Sequence, residues 1–324
     1  MLRNIRQLFL IILCGGLLLS CEAERDNPRD PKSPYYTGEG SLRGSVKTRT
    51  GVPLPGITLV VEPETTACLF TTSNEDGSYN FSSVPAGKCM VIASKEGYET
   101  DTCPGSIEVE GADTVDFFLD ALPRFLLCQV TTHHVLQKYY AIFEADAVDG
   151  DGAIDIDFVS SWVTGFQDPF DLYFDADKKK YTKQVDAESL PGKSLESLLG
   201  KDCFFEVTDK AGARVKSQPT SPARIIYEEP DLVKPVNFEK VGTNPVLIWH
   251  KPTFTYPYTY TVEVFRLQSG QPLERMWFRE CIPKIDTAVT VTQELKADNY
   301  SWMVWVVDEF GNSTRSVLAG FQVQ

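Results

Sequence analysis

The chain has 324 residues, with 42% hydrophobic, 11% aromatic and 23% charged side chains and a formal net charge of −14. That length is enough for two or three domains, and an acidic balance of this size opposes binding to nucleic-acid phosphates. With 20 prolines and 22 glycines, the composition favours many short strands and turns over long helices.

The first 20 residues read as a secretory signal peptide. Arg3 and Arg6 supply a positive segment, and Leu8 to Leu19 an apolar one of about a dozen residues, short of the ~20 that span a bilayer. A small residue, Ser20, then precedes Cys21. The stretch Leu18-Leu19-Ser20-Cys21 resembles the lipobox of bacterial lipoproteins. The resemblance implies that Cys21 receives a diacylglycerol on its thiol and becomes the new amino terminus. Only a thiolate is nucleophilic enough for that transfer. The alternative is an ordinary signal peptide that ends near a cysteine. Residue 22 is Glu rather than Asp, and by resemblance to enteric sorting rules this favours the outer membrane of a bacterial cell envelope. Residues 21–40 are rich in Pro, Asp and Gly without apolar periodicity, and read as a flexible tether.

Residues 41–121 carry short runs broken by turn signals. LRGSV (42–46) leads to a turn at Gly51–Gly56, and ITLVVE (57–62) and residues 67–72 follow. Asp76-Gly77 is a second turn, SYNF (78–81) a strand, and VPAG (84–87) another turn. IEVE (107–110) and TVDFFLD (114–120) complete a sandwich pattern. The order of Gly44-Ser45-Val46, Gly51 to Gly56, Asp76 to Phe81, Val84 to Gly87 and Gly97-Tyr98 resembles the carboxypeptidase regulatory-like domain, a transthyretin-like sandwich. The resemblance implies an accessory module without catalytic residues, with Tyr79, Phe81, Val91 and Tyr98 in its core.

Residues 122–230 hold four strand-like runs at 125–130, 139–148, 154–163 and 203–209, with 187–199 as a helical turn or a loop. Val207 to Gly212 resembles a strand end of an immunoglobulin-like sandwich. Residues 231–324 resemble a fibronectin type III domain through PVLIWHKP (245–252), YTVEV (260–264) and YSWMVWVVDEFGNS (300–313). There Tyr300, Trp302, Val304 and Val306 share one face, and Asp308, Gly311 and Asn312 make the turn. The expected fold class is all-β, with three β-sandwich domains in tandem after a signal peptide and tether.

Candidate chemistry is sparse. The three histidines include His133 and His134, which point to opposite faces of one strand and cannot share a metal from it. There is no H-E-x-x-H, no G-x-S-x-G elbow and no phosphate loop, so no enzyme or cofactor is expected. The loop at 146–157 offers Asp149, Asp151 and Asp155 as calcium candidates, although it fails the EF-hand pattern, with Ala153 at the fifth position and Ser160 at the twelfth. Its alternative is a strand connection with two Asp-Gly turns. If Trp302 faces the core, then Met303 and Trp305 face out, and Phe265 and Trp277 could join them in a patch that binds a sugar ring or a protein. The alternative is that a neighbouring domain covers it. Of the eight cysteines, Cys68 with Cys103 and Cys128 with Cys203 are candidate disulfides, with buried free thiols as the alternative. These readings converge on a membrane-anchored envelope lipoprotein of structural, scaffolding or adhesive role. Its partners would be the membrane and an envelope protein or glycan, and the alternative is a carbohydrate-binding surface lipoprotein.

Overall fold

The structure is a computed structural model that describes residues 30, 32–34, 36, 38–64, 66–267 and 273–324. Cys21 and the signal peptide lie outside the described residues. Among those residues no helix is long and apolar enough to cross a membrane. The chain divides into two compact units between Ala121 and Leu122, and it is built from tandem β-sandwiches.

The first unit has two four-stranded sheets. Its strands are β1 (Glu39–Thr48), β2 (Thr58–Pro63), β3 (Leu69–Thr72), β4 (Ser78–Pro85), β5 (Gly87–Ser94), β6 (Asp101–Ile107), β7 (Ala112–Thr114) and β8 (Phe117–Leu119). One sheet runs β4-β1-β7, with β8 also on β1, and the other runs β3-β2-β5-β6. The alternating runs bury Leu42, Val46, Leu59, Val61, Tyr79, Phe81 and Val91 between the sheets, and Tyr98 packs at their margin. Gly44 is required by a close approach: a Cβ there would lie 1.7 Å from the Val115 carbonyl oxygen, which instead accepts from the Tyr79 hydroxyl at 2.6 Å. Gly77, at φ +77°, takes the left-handed position of the Asp-Gly turn. Of the run at 107–110, Ile107 ends β6 and residues 108–110 are not a strand. They form the turn between β6 and β7, closed by Gly111 N–H donating to the Glu108 carbonyl at 3.0 Å.

The second unit opens with β9 (Arg124–Val135), β10 (Lys138–Val148), β11 (Ile156–Val163), β12 (Phe170–Asp175), β13 (Lys180–Asp186), β14 (Cys203–Asp209) and β15 (Arg214–Lys216). β12 changes sheets along its length. Phe170 to Leu172 pair with β11 and Tyr173 to Asp175 with β13. The segment at 187–198 forms three short 3-10 turns that drop Ala187, Leu195 and Leu198 into the core beside Phe143 and Phe205.

The remaining strands are β16 (Leu232–Lys234), β17 (Glu239–Val241), β18 (Val246–Trp249), β19 (Tyr258–Arg266), β20 (Glu274–Pro283), β21 (Ala288–Thr290), β22 (Asn299–Asp308), β23 (Ser313–Arg315) and β24 (Ala319–Val323). β16-β18-β21 form the small sheet of this sandwich. Its core holds Trp249, Tyr260, Tyr300, Trp302, Val304, Val306 and Phe321.

These two sandwiches share a sheet. β23 pairs with β22 on one side and, in parallel, with β9 on the other, placing Ser313 opposite His133 and Thr314 opposite His134. A continuous hydrogen-bonded order of strands therefore runs from β15 to β20, passing at β12 from one sheet of the middle sandwich to the other and then through β9 and β23. The chain crosses between the cores within one peptide unit, with Ile225 in the core of the middle sandwich and Ile226 in that of the last.

Candidate functional site

The aromatic patch expected on the last sandwich is not an exposed patch. Trp277 and Met303 are each only 8% exposed, while Phe265 and Trp305 are half-buried. The reason lies in the pairing of β19 with β20. An unbroken register from Val262 to Val264 sets Trp277 directly opposite the core-facing Val264. The Trp277 ring enters the core, and its Nε1 donates to Thr292 Oγ1 at 3.1 Å. Met303 and Trp305 do occupy the other face of β22, but polar groups cover them. Trp305 Nε1 donates to Glu263 Oε2 at 2.8 Å, and Glu263 Oε1 pairs with Arg275 at 2.7 Å. Arg315 lies over the Trp305 ring at 5.8 Å and touches the Met303 sulfur. A buried carboxylate held this way is a structural element, because both of its oxygens are occupied.

The disulfide expectations also give way, and all six cysteines from Cys68 to Cys281 are free thiols. Cys68 leads into β3, and Cys103 lies on β6, at the opposite edge of the sheet β3-β2-β5-β6. Three strand spacings separate the two positions, about 14 Å, against the ~4.4–6.8 Å between Cα atoms that a disulfide requires. Cys128 sits beside Ser217, whereas the Cys203 backbone is paired with Thr220, further along the same segment. Burial pushes the Cys128 thiol up to about 11 and the Cys203 thiol up to about 12, so neither is a nucleophile at neutral pH.

A cleft that the pattern of residues did not announce opens in the middle sandwich. Its volume is about 460 Å³, and Tyr139, Tyr227, Lys138, Leu195 and Glu196 line it. Tyr139 starts the face of β10, and its ring stacks on His134 with centroids 4.1 Å apart and planes 5° from parallel. Tyr227 comes from the irregular segment after β15, is 51% exposed, and has its ring 6.0 Å from that of Tyr139. Its hydroxyl donates to Glu196 Oε1. Burial and the Glu196 carboxylate push that hydroxyl up to about 12, so it stays protonated. Beneath the platform, His134 Nε2 lies 3.3 Å from Glu229 Oε1. A shallower depression lined by Leu136, Arg315 and Val317 shares Gln137 and Lys138 with the cleft. Two aromatic faces flanked by amide, ammonium and carboxylate groups suit a ring with hydroxyls at its edge.

His133 lies in the seam between sandwiches, with its Nδ1 2.8 Å from Ser313 Oγ and its Nε2 2.8 Å from Thr131 Oγ1. A Ser–His pair is present, yet the far partner is a hydroxyl where a nucleophilic triad would have a carboxylate. Burial, and to a lesser degree the charge of Lys178, lower this imidazole to about 4. The arrangement is that of a neutral, half-buried link between strands.

Asp149, Asp151 and Asp155 are brought together at the end of the middle sandwich. Each offers a carboxylate oxygen, and the three oxygens lie within 4.8 Å of one another.

Residues 41–120 match the family model of the carboxypeptidase regulatory-like domain. No curated protein sequence matches the chain. Similar solved structures include the major pilin subunit of Bacillus cereus, at 7% identity over 88% of this chain and 95% of that one, with a TM-score of 0.34. They also include a DUF3823 family protein from Parabacteroides merdae, at 15% identity over 57% of this chain and 99% of that one, with a TM-score of 0.25. A third is the FN1–FN3 segment of chicken CNTN1, at 10% identity over 82% of this chain and 91% of that one, with a TM-score of 0.32.

Proposed function

We propose that the chain is a lipid-anchored lipoprotein of a bacterial envelope with a non-enzymatic, structural or adhesive role. In this reading Cys21 carries the acyl chains and the outer membrane is their seat. The residues between Cys21 and β1 are the tether, and the sandwiches form the part that reaches a partner. The observation that carries the structural role is the sheet shared through β9 and β23. Independent modules on a string need no hydrogen-bonded ladder between them, whereas an arm that must hold its shape does.

The test is metabolic labelling with an alkyne fatty acid, followed by membrane fractionation. The wild-type chain should take the label and sediment with outer membranes, and Cys21→Ser should do neither. An unlabelled wild-type chain rejects the anchor. Acyl burial at ~0.8 kcal/mol per CH₂ makes two or more chains an effectively permanent hold.

A second reading, glycan recognition, is favoured by the cleft between Tyr139 and Tyr227. Glycan-array binding that is lost in Tyr227→Ala and kept in Trp305→Phe would support it. Binding that survives loss of the Tyr227 ring would remove the cleft from consideration.

A further inference from the structure

We propose that Asp149, Asp151, Asp155 and Asp209 form a calcium-binding site at one end of the middle sandwich. Asp149, Asp151 and Asp155 come from the connection between β10 and β11. Asp209 is the last residue of β14, and the register of β11 with β14 sets it opposite Ile156, where that connection ends. A carboxylate oxygen of Asp209 lies within 4.8 Å of one of Asp155, which thereby belongs both to the loop cluster and to the strand end. The Lys210 backbone N–H donates to the Asp155 carbonyl at 2.8 Å and fixes the two segments together.

Asp209 is the observation that points to a ligand. It is 1% exposed. Its Oδ1 accepts from the Ala213 N–H at 2.8 Å, but its Oδ2 is enclosed and has no hydrogen-bond donor among the described residues. Asp149 is in a similar position. Its Oδ1 accepts from the Asp151 N–H at 2.7 Å, and its Oδ2 is enclosed without a donor. Among the described residues, neither Asp149, Asp155 nor Asp209 forms an ion pair with Lys, Arg or His. Buried carboxylates are paired or bind metal, because nothing else offsets the loss of water. Burial, followed by the charges of Asp155, Asp151 and Asp209, raises the Asp149 carboxyl above its ordinary value, as expected where like charges face one another without a cation.

The donor set selects the ion. All four side chains offer oxygen, and no Cys or His joins them, which excludes the softer metals. Calcium accepts 6–8 oxygens at 2.3–2.6 Å, so ligand oxygens on opposite sides of one ion lie up to about 5 Å apart, the scale of the 4.8 Å that holds the Asp149, Asp151 and Asp155 oxygens, which Asp209 joins through Asp155. Magnesium holds its ligands at ~2.0–2.1 Å and keeps much of its water, a poor match to a site with enclosed carboxylate oxygens.

The test uses the mature chain stripped with EDTA and then titrated calorimetrically with CaCl₂ or MgCl₂, with thermal unfolding followed in parallel. Calcium should release or take up heat with a one-to-one end point and raise the unfolding temperature, and magnesium at the same concentration should do neither. Asp209→Asn and Asp155→Asn should each weaken calcium at least about tenfold, since affinity follows ligand charge. Asp209→Asn also removes an unpaired charge, so in EDTA it should unfold no earlier than wild type. Should that variant fail to fold, Asp151→Asn, on the loop, serves in its place and should weaken calcium by a similar factor. No calcium heat at 1 mM, an equal response to magnesium, or wild-type affinity in the variant tested would overturn the assignment.

Discussion

Asn312 Oδ1 accepts from the backbone N–H of Thr132 at 2.9 Å, across 180 residues of sequence and at a point where neither side chain is exposed. The same oxygen takes the Thr132 hydroxyl at 3.1 Å, and that hydroxyl is also 2.6 Å from the Arg224 carbonyl oxygen. Asp308 holds Asn312 in place by accepting from its N–H at 2.9 Å and its Nδ2 at 3.0 Å, and it pairs with Arg224 at 3.1 Å. The turn that ends β22 thus serves as the clasp between the last two sandwiches.

Asn312→Ala should therefore destabilise the second unit by about 2–4 kcal/mol, because it strands a buried N–H and parts of Asp308 without partners. Asn80→Ala, on an exposed position of β4, should stay within about 0.5 kcal/mol. Urea unfolding of both variants measures the difference, and a loss for Asn312→Ala under 0.5 kcal/mol would refute the clasp.

The tryptophans of the last sandwich should rank by burial. Trp302→Ala and Trp249→Ala each remove a fully buried ring and should cost about 3–5 kcal/mol. Trp277→Ala belongs with them, since its ring is in the same core. Trp305→Ala should fall between these and a surface change, at about 1–3 kcal/mol, because it also leaves Glu263 Oε2 without its donor. Denaturant midpoints with unchanged m-values check the order.

Acid should loosen the seam before it unfolds the rest. His133 titrates near 4 in the folded chain against 6.5 unfolded. A lowered folded value means that the unfolded chain binds the proton more readily, so the stabilisation is complete above pH 6.5 and is lost as pH falls toward 4. The full loss is roughly 3 kcal/mol at 1.36 kcal/mol per unit. Stability measured at pH 7.5, 6, 5 and 4 should show this fall, and His133→Gln should flatten it. A wild-type profile that is flat between pH 6.5 and 4.5 would rule the histidine out as its source.

Thiol reactivity should follow exposure. Cys68 and Cys281 are exposed, whereas Cys89 and Cys203 are buried. Brief alkylation of the native chain should label the first two, and Cys203 should react only after unfolding. Peptide mapping without reduction should return Cys68 and Cys103 as free thiols. A linked pair of peptides would contradict the sheet order.

Calcium affinity should fall on mild acidification. The Asp149 carboxyl, raised by burial and by Asp155, Asp151 and Asp209, takes a proton at higher pH than an ordinary aspartate. Protons then compete with the metal. The calcium-dependent rise in unfolding temperature should shrink as acid protonates the carboxylates, and a rise that persists unchanged through the carboxylate range would count against the site.

The parts of the fold that were legible are those where local chemistry decides structure. The alternation of Tyr300, Trp302, Val304 and Val306 marks a core-facing strand because a two-residue period has one outcome on a sheet. The turns at Gly51–Gly56 and Asp76-Gly77 mark the first sandwich for the same local reason. The parallel pairing of β9 with β23 leaves no such trace. His133, His134, Ser313 and Thr314 are polar residues at two strand edges, and nothing in their order names a partner far along the chain. The facing of Trp277 is not written in β20 itself: it follows from pairing with Val264 on β19, which the order of residues does not name. Tyr227 leaves no signal in the sequence, because it lies in a segment with no periodicity and acquires meaning only beside Tyr139. The acidic loop could be read, but Asp209 could not be joined to it without the register of β11 and β14.

The shared sheet also orders events in time. A chain emerges amino terminus first, so β9 is complete long before Ser313 exists to cover it. Until then its outer edge, from His133 to Val135, presents unpaired backbone groups to whatever strand comes near. A product truncated before residue 313 keeps that edge open for good, and a second copy can lend its own β23 to close it. Exchange of the carboxy-terminal segment between chains is thus the characteristic assembly error of this architecture.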